Sequence, residues 1–444
     1  MSYEMIALMM FAGMVFLMLT GQRVFAMIGA VAAASALSLY GNASAELPFN
    51  AAFKLFSWHA LLTLPLFVYM GHMLSKSGIA EELYQMMHVW FGKLSGGLAL
   101  GTILLMVIIS AINGLSVAGL AIGSAIALPE MLRRGYDKVL ITGVVQGGST
   151  LGILLPPSVV MVLFAVIARQ PVSDLWLAGV FPGLIMAVIF AIYVYVRVKL
   201  NPSLAPKLSE EELAMPLREK LVLLRAGIIP IVIFMLMIGL FITGYTSLLE
   251  SAAVGAASAT VAAAIKGRLS LALLNETARE TMSITALFMW VILGALAFSS
   301  VFDGIGAVRA IENVFIHNWE LSPWAVIILM QLSFILMGMF LDDTAMLVIV
   351  APLYIPLVAR LDLDIDHQMI WFGILYTMTC QIAYISPPFG YNLFLMRGLA
   401  PKEITLVDIY KSIWPFVIMI MLTIALLMIF PQIATWLPNY VRNG

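Results

Sequence analysis

The sequence predicts an all-α polytopic membrane protein, an inverted repeat with two re-entrant helical hairpins and two broken helices. Three observations predict it. The 444 residues are 62% hydrophobic and only 11% charged, where a soluble domain carries about 25% charged residues. Two apolar stretches, 97–132 and 321–359, are too long for one crossing each and break at polar residues near their middles. A double proline follows each of them at nearly the same interval.

Composition excludes several function classes. Mean hydropathy is +1.04, more apolar surface than a soluble fold can bury, so lipid is the solvent for much of the chain. A net charge of −1 supplies no basic face for nucleic acid. His59, His72, His88, His317 and His367 form no i,i+4 pair, so no transition-metal site is expected. Cys380 stands alone. No GxSxG, Walker A or GxGxxG motif occurs, which disfavours an ATP-driven pump and points to an ion gradient as energy source; an enzyme using Asp342 and Asp343 as a catalytic pair is disfavoured because adjacent residues point apart on a helix. Residues 1–20 have an acidic flank at Glu4 and no small-residue cleavage site, so they read as a retained first helix.

A crossing takes about 20 apolar residues. Such runs lie near 4–20, 24–41, 52–75, 139–168, 177–196, 226–245, 247–265, 282–301, 369–396 and 412–431. The stretches 97–132 and 321–359 would each be about 54 Å or more as a straight helix, against a hydrocarbon core of about 30 Å. Charge decides how they run. With an outside N-terminus, 18 of the 23 Lys and Arg residues fall on the cytoplasmic side, as the positive-inside rule requires. That holds only if 97–132, flanked by Lys93 and Arg133-Arg134, enters from the cytoplasm and returns there. The stretch 321–359 has acidic flanks (Glu312, Glu320, Asp362, Asp364, Asp366) and must enter and leave outside. Both termini are then periplasmic.

The first hairpin breaks at Asn113-Gly114-Leu115-Ser116 and the second at Asp342-Asp343-Thr344. Lipid cannot pair the backbone groups of such turns, so they must sit in protein or beside a wet cavity. Segments 78–95 and 303–320 read as amphipathic helices at opposite interfaces. The resulting organisation is N-terminal scaffold helices over 1–50, a first repeat over 51–200 and a polar cytoplasmic linker over 201–225. Scaffold helices over 226–270 and a second, inverted repeat over 271–444 complete it.

Leu128-Pro129-x-x-x-Arg133 follows the first tip, and Ile355-Pro356-x-x-x-Arg360 follows the second. Then come Pro156-Pro157 and Pro387-Pro388, 43 residues after Asn113 and 45 after Asp342. Two prolines inside a helix remove two N–H donors and free carbonyls one turn back, which can ligate a small hard cation. Hairpins paired with broken helices in reversed topology are a transporter architecture. Asp342 and Asp343 are carboxylates at membrane depth, costly and by default functional, although one of them could instead cap the following half-helix. The second site is then Asp342, Asp343, Thr344 and Ser386. The first is Asn113 or Ser116 with Ser149 and Thr150, with Gly147 and Gly148 permitting close backbone approach. No Arg or Lys lies near the tips or double prolines, so a carboxylate substrate would meet helix N-termini, hydroxyls and amides, with Ser158, Tyr391 and Asn392 as candidates. Glu250 reads as an interfacial helix cap rather than a substrate group.

Five runs resemble a known family. They are Arg134-Gly135-Tyr136-Asp137, Gly148-Ser149-Thr150-Leu151-Gly152 through Pro156-Pro157-Ser158, and Leu249-Glu250-Ser251-Ala252-Ala253-Val254-Gly255. Gly338-Met339-Phe340-Leu341-Asp342-Asp343-Thr344-Ala345 and Pro387-Pro388-Phe389-Gly390-Tyr391-Asn392-Leu393-Phe394 complete the set. Together, in this order, they are similar to the DctM-type large membrane subunit of TRAP (tripartite ATP-independent periplasmic) transporters. The resemblance implies Na⁺-coupled secondary uptake of small organic acids across the bacterial inner membrane. It implies a periplasmic substrate-binding protein and a small four-helix membrane subunit as partners, no cofactor beyond the coupling ion, and an elevator motion of hairpins and broken helices against a scaffold. The first tip departs from a Ser-Gly-Ser pattern, and the second has Asp-Asp-Thr where Asp-Gly-Thr is common. With Pro-Pro-Phe-Gly-Tyr, this is similar to the branch labelled for mannitol, chloroaromatic or keto-acid substrates. The alternative reading is a stand-alone Na⁺-coupled dicarboxylate or citrate-type carrier that needs no binding protein.

Overall fold

The computed structural model describes residues 3–443 apart from 21, 23, 42, 43, 45, 47, 48, 51, 52, 54, 56–58, 93, 95, 207–215, 305, 307–320, 340, 342, 388 and 389. The described residues form helices and connections, with no strand among them. In chain order the helices are α1 (Tyr3–Leu19), α2 (Val24–Tyr40), α3 (Thr63–Lys76), α4 (Ile79–Phe91), α5 (Gly97–Asn113), α6 (Ser116–Arg133), α7 (Lys138–Thr150), α8 (Val159–Ala168) and α9 (Val172–Leu200). There follow α10 (Arg218–Ile242, with a π-helical turn at Met235–Gly239) and α11 (Leu248–Ile265). The rest are α12 (Leu271–Gly304), α13 (Pro323–Gly338), α14 (Asp343–Arg360), α15 (Gln368–Ile385), α16 (Tyr391–Leu399), α17 (Leu406–Ile429) and α18 (Gln432–Asn443). Six of these are long and apolar enough to cross a membrane: α6, α9, α10, α11, α12 and α17.

Both long apolar stretches fold back on themselves. In the first, the Thr102 hydroxyl on α5 lies 3.9 Å from the Met131 sulfur on α6, which only an antiparallel pair permits so far from the turn. In the second, Ser333 and Tyr354 share a hydrogen bond of 2.7 Å between α13 and α14, and the Phe334 and Tyr354 rings meet edge to face at 5.2 Å. The helices after the two tips, α6 and α14, are both 18 residues long and end on Arg133 and Arg360.

Packing between the halves is reciprocal. Helix α16 of the second half packs on α6 of the first hairpin, and α8 of the first half packs on α14 of the second. Likewise α11 packs on α3, and α2 on α12. The Gln381 amide donates to the Thr150 carbonyl at 2.8 Å; each residue stands six places before its double proline. Equivalent positions of the two halves therefore touch at the centre of the molecule.

The broken helices form that centre. Nearly every residue of α15 and every residue of α7 from Leu140 onward is buried, as expected of helices apolar on all sides. The periphery is apolar and exposed: on α17 the stripe Trp414, Ile418, Met421, Leu422 and Ile429 faces outward, the surface that lipid covers.

Several element boundaries differ from those read in the sequence, for identifiable reasons. Helix α12 starts at Leu271 rather than near 282. Its polar first turns are held by ion pairs to α3: Lys76 reaches Glu276 at 2.7 Å and Glu280 at 2.9 Å, and His72 lies 3.0 Å from Glu280. Helix α17 starts at Leu406 rather than 412 because Thr405 and Asp408 form a capping box, which satisfies two orphan N–H groups. The cap expected at Glu250 is present: the Ser247 N–H donates to Glu250 at 2.7 Å and the Ser247 hydroxyl accepts from the Glu250 N–H at 3.3 Å. Helix α18 has no counterpart in the sequence reading. Its Arg442 pairs with the buried Asp174 carboxylate of α9, and Trp436 packs on Phe181. The expected amphipathic segment 78–95 contains α4, which buries Ile79, Leu83, Met86 and Met87. Its companion 303–320 lies almost entirely outside the described residues.

Candidate functional site

The first tip is closed by the first break. Gly114 has φ +65°, and its carbonyl accepts from the Val159 N–H at 3.4 Å. A Cβ on Gly114 would lie 2.0 Å from the Pro157 carbonyl oxygen. Gly152 gives the same access on the other side, since a Cβ there would sit 2.8 Å from the Leu115 carbonyl oxygen. Between α7 and α8 the chain makes a 3₁₀ turn at Leu151–Ile153 and then passes through the cis Pro156-Pro157 pair. Loss of α-helical bonding over 151–158 follows from the prolines, which lack N–H groups.

Against this junction stand the side chains of one polar cluster. Ser116 begins α6, and Ser149 and Thr150 end α7. Asn392, in the first turn of α16, donates through Nδ2 to Ser116 Oγ at 2.9 Å and to Ser149 Oγ at 3.1 Å. The Ser149 hydroxyl donates to the Gln146 carbonyl and the Thr150 hydroxyl to the Gly147 carbonyl, both at 2.7 Å. With its single proton committed to the backbone, each hydroxyl presents only lone pairs to the cluster. Gln146 donates to Ser412 of α17 at 3.1 Å. Ser149, Thr150, Gln146, Gln381 and Asn392 are all fully buried and Ser116 nearly so. The amide oxygens of Gln146, Gln381 and Asn392 have no hydrogen-bond partner among the described residues. A buried acceptor left unpaired costs about 1–3 kcal/mol; that of Asn392 belongs to the side chain bonded to Ser116 and Ser149, and oxygen ligands of this kind suit a hard cation.

The structure thus brings together Ser116, Ser149, Thr150 and Asn392 of the residues singled out in the sequence. The Asn113 side chain lies outside the described residues. Ser158 has another employment: its hydroxyl donates to the Ile153 carbonyl and accepts from the Met161 N–H at 3.3 Å, capping α8. Gly147 and Gly148 do admit close approach, but what approaches is the Phe416 ring and the Met106 side chain. Gln146 and Gln381 are not singled out in the sequence reading; an amide about two to three turns before a double proline, on a largely apolar helix, is the signal that would find them.

At the second tip Asp343 opens α14 and is buried. The Tyr376 hydroxyl of α15 donates to the Asp343 carbonyl at 2.5 Å, tying the tip to the broken helix. Nearby on α15, Thr379 donates to Gln331 of α13 at 2.5 Å. Ser386 is buried where α15 ends, and its carbonyl accepts from the Gly390 N–H at 2.9 Å. Pro387 follows it, and Tyr391 is exposed. Asp342, Pro388 and the Thr344 side chain lie outside the described residues.

Comparison with known proteins decides the family. Residues 9–433 match the model of the DctM component of tripartite ATP-independent periplasmic transporters. The chain belongs to the DctM family. It is 29% identical over 388 residues to the C4-dicarboxylate TRAP transporter large permease protein DctM of Pseudomonas aeruginosa, covering 86% of this chain and 87% of that one. It is 27% identical over 381 residues to the ectoine/5-hydroxyectoine TRAP transporter large permease protein UehC of Ruegeria pomeroyi, covering 85% and 86%. Among solved structures, Neisseria gonorrhoeae MtrF shares the fold with a TM-score of 0.59 at 16% identity, over 92% of this chain and 94% of that one. As a DctM-family permease, the chain is a multi-pass membrane protein of a transport system. Relatives named for C4-dicarboxylates and for ectoine show that membership does not by itself fix the substrate.

Proposed function

We propose that this DctM-family permease is the large subunit of a Na⁺-coupled importer of small organic acids, working with a periplasmic binding protein and a small four-helix membrane subunit. The observation that carries the reading is the buried junction of the first tip, the first break and α16. There, the acceptor-only hydroxyl of Ser149 and the Ser116 hydroxyl meet Asn392, whose own amide oxygen has no partner among the described residues. Neutral oxygen ligands in a dry site select a small hard cation over a transition metal. A first Na⁺ site uses Asn113, Ser116, Ser149 and Thr150, and a second uses Asp342, Asp343, Thr344 and Ser386. The substrate carboxylate, of the keto-acid type, lies between the tips near Tyr391 and Asn392, where half-helix N-termini offer N–H groups.

The reciprocal packing supports an inverted repeat in which α5–α8 and α13–α16 travel together as an elevator. The two hairpins are re-entrant from opposite faces, and both termini are periplasmic. Uptake measured in proteoliposomes containing both membrane subunits and supplied with the binding protein tests the ion assignment. Ser149→Ala and Asp342→Ala should each raise the Na⁺ concentration for half-maximal uptake by about tenfold, the loss of one charge-assisted ligand. Unchanged Na⁺ dependence in both variants would remove the assignment.

A further inference from the structure

Asn392 belongs to the second half of the chain, yet both protons of its amide go to hydroxyls of the first half, Ser116 on the tip helix and Ser149 on the first broken helix. The direction of these bonds is set by Ser149, whose proton already goes to the Gln146 carbonyl, so it can only accept. The positive end of an amide dipole therefore faces the two oxygens that a cation at the first tip would need. The same amide's Oδ1 is buried and unpaired. Resting on the Na⁺-coupled reading above, we infer that Asn392 is a stand-in for the coupling ion. Its N–H₂ group fills the first ion site when the carrier is empty and yields to Na⁺ when the carrier is loaded.

Three consequences follow from the geometry. The amide protons and Na⁺ cannot occupy the same face of Ser116 Oγ and Ser149 Oγ, so ion entry must break both inter-repeat hydrogen bonds. Rotation of the amide about its terminal torsion then turns the unpaired Oδ1 toward the ion, which satisfies that oxygen. Finally, Asn392 lies five residues after Pro387, at the start of α16, so occupancy of the first tip is transmitted to the second break. In the empty carrier the amide spares the site two unpaired hydroxyl acceptors, each a penalty that would otherwise oppose the return step. Asn392 is on this account a positioning and coupling residue.

Asn392→Asp separates this role from a structural one. A carboxylate has no proton for the serines and adds negative charge to the cation's surroundings, and ligand charge raises the affinity of a hard-cation site. The expected result is a Na⁺ half-saturation about tenfold lower than in the native protein, with slower net uptake at saturating Na⁺ because the empty form has lost its stand-in. Half-saturation that is unchanged or raised overturns the inference. The native protein gives an independent reading through hydrogen exchange in Na⁺ against choline. Protection should change together in residues 113–120 and 391–399. A response in 113–120 without one in 391–399 overturns the inference, whereas no response to Na⁺ anywhere, with uptake indifferent to Na⁺, overturns the Na⁺-coupled reading itself.

Discussion

Replacing Gly114 with alanine should abolish uptake and sharply lower the thermal stability of the purified protein. Two costs combine. Gly114 holds φ +65°, where an L-residue costs about 1–2 kcal/mol. The added Cβ would also lie 2.0 Å from the Pro157 carbonyl oxygen and 3.1 Å from its carbon. These are backbone atoms of the proline break, which no side-chain rotation can move aside. The tip must lift away from the break, and the bond from the Val159 N–H to the Gly114 carbonyl lifts with it. With about 1–3 kcal/mol for overpacking the total reaches about 2–5 kcal/mol, large among single substitutions. Membrane abundance and melting temperature in detergent check the stability, and initial-rate uptake checks the function. A Gly114→Ala protein that melts and transports like the native one would mean that the tip does not rest on the break.

The second large effect is expected at Gly147. A Cβ there would sit 2.1 Å from Phe416 Cδ1 and 2.6 Å from Cγ. Phe416 is buried and is itself wedged edge-on against Phe190 at 5.0 Å and Tyr193 at 5.6 Å, so its ring cannot simply swing away. Overpacking of this kind costs about 1–3 kcal/mol. Gly147→Ala should therefore lower the melting temperature and depress uptake, while a Phe416→Ala background, which removes Cγ and the ring, should recover most of the loss that Gly147→Ala causes. The recovery is a coupling between touching residues, and a double-mutant cycle measures it. Strict additivity of the two substitutions would show that Gly147 is not kept small by the ring, and would return it to the role of opening the backbone to an ion.

The Gly147 case shows what kind of information the sequence carries here. Local chemistry was legible. Asn113-Gly114 and the two double prolines interrupt apolar helices for reasons contained in the residues themselves, and the structure breaks its helices at those places. Charge and length identified 97–132 and 321–359 as pairs rather than rods, and Thr102 with Met131 and Ser333 with Tyr354 close those pairs. What the sequence could not show is which partner fills each opening. A glycine states that something comes close, but the identity of Phe416 depends on how α17 lies against α7. Asn392 lies 276 residues from Ser116 and 243 from Ser149, and no local pattern joins them. Hydropathy also hid the first turns of α12, where Glu276 and Glu280 look like loop residues until Lys76 and His72 are seen opposite them. Helix α18 was hidden likewise, since its polar face outweighs Trp436 and Tyr440 in any average of hydrophobicity.

Everything proposed about transport depends on the two hairpins entering from opposite faces of the membrane. Arg133 and Asp362 stand at the open ends of the first and second hairpins and are exposed, while the native Cys380 is buried and stays silent to reagents. Single cysteines at these two positions, probed in intact cells and in inverted membrane vesicles with a membrane-impermeant maleimide, give the direct measurement. Asp362→Cys should label from the periplasmic side and Arg133→Cys only from the cytoplasmic side. Labelling of both from the same side would contradict the account.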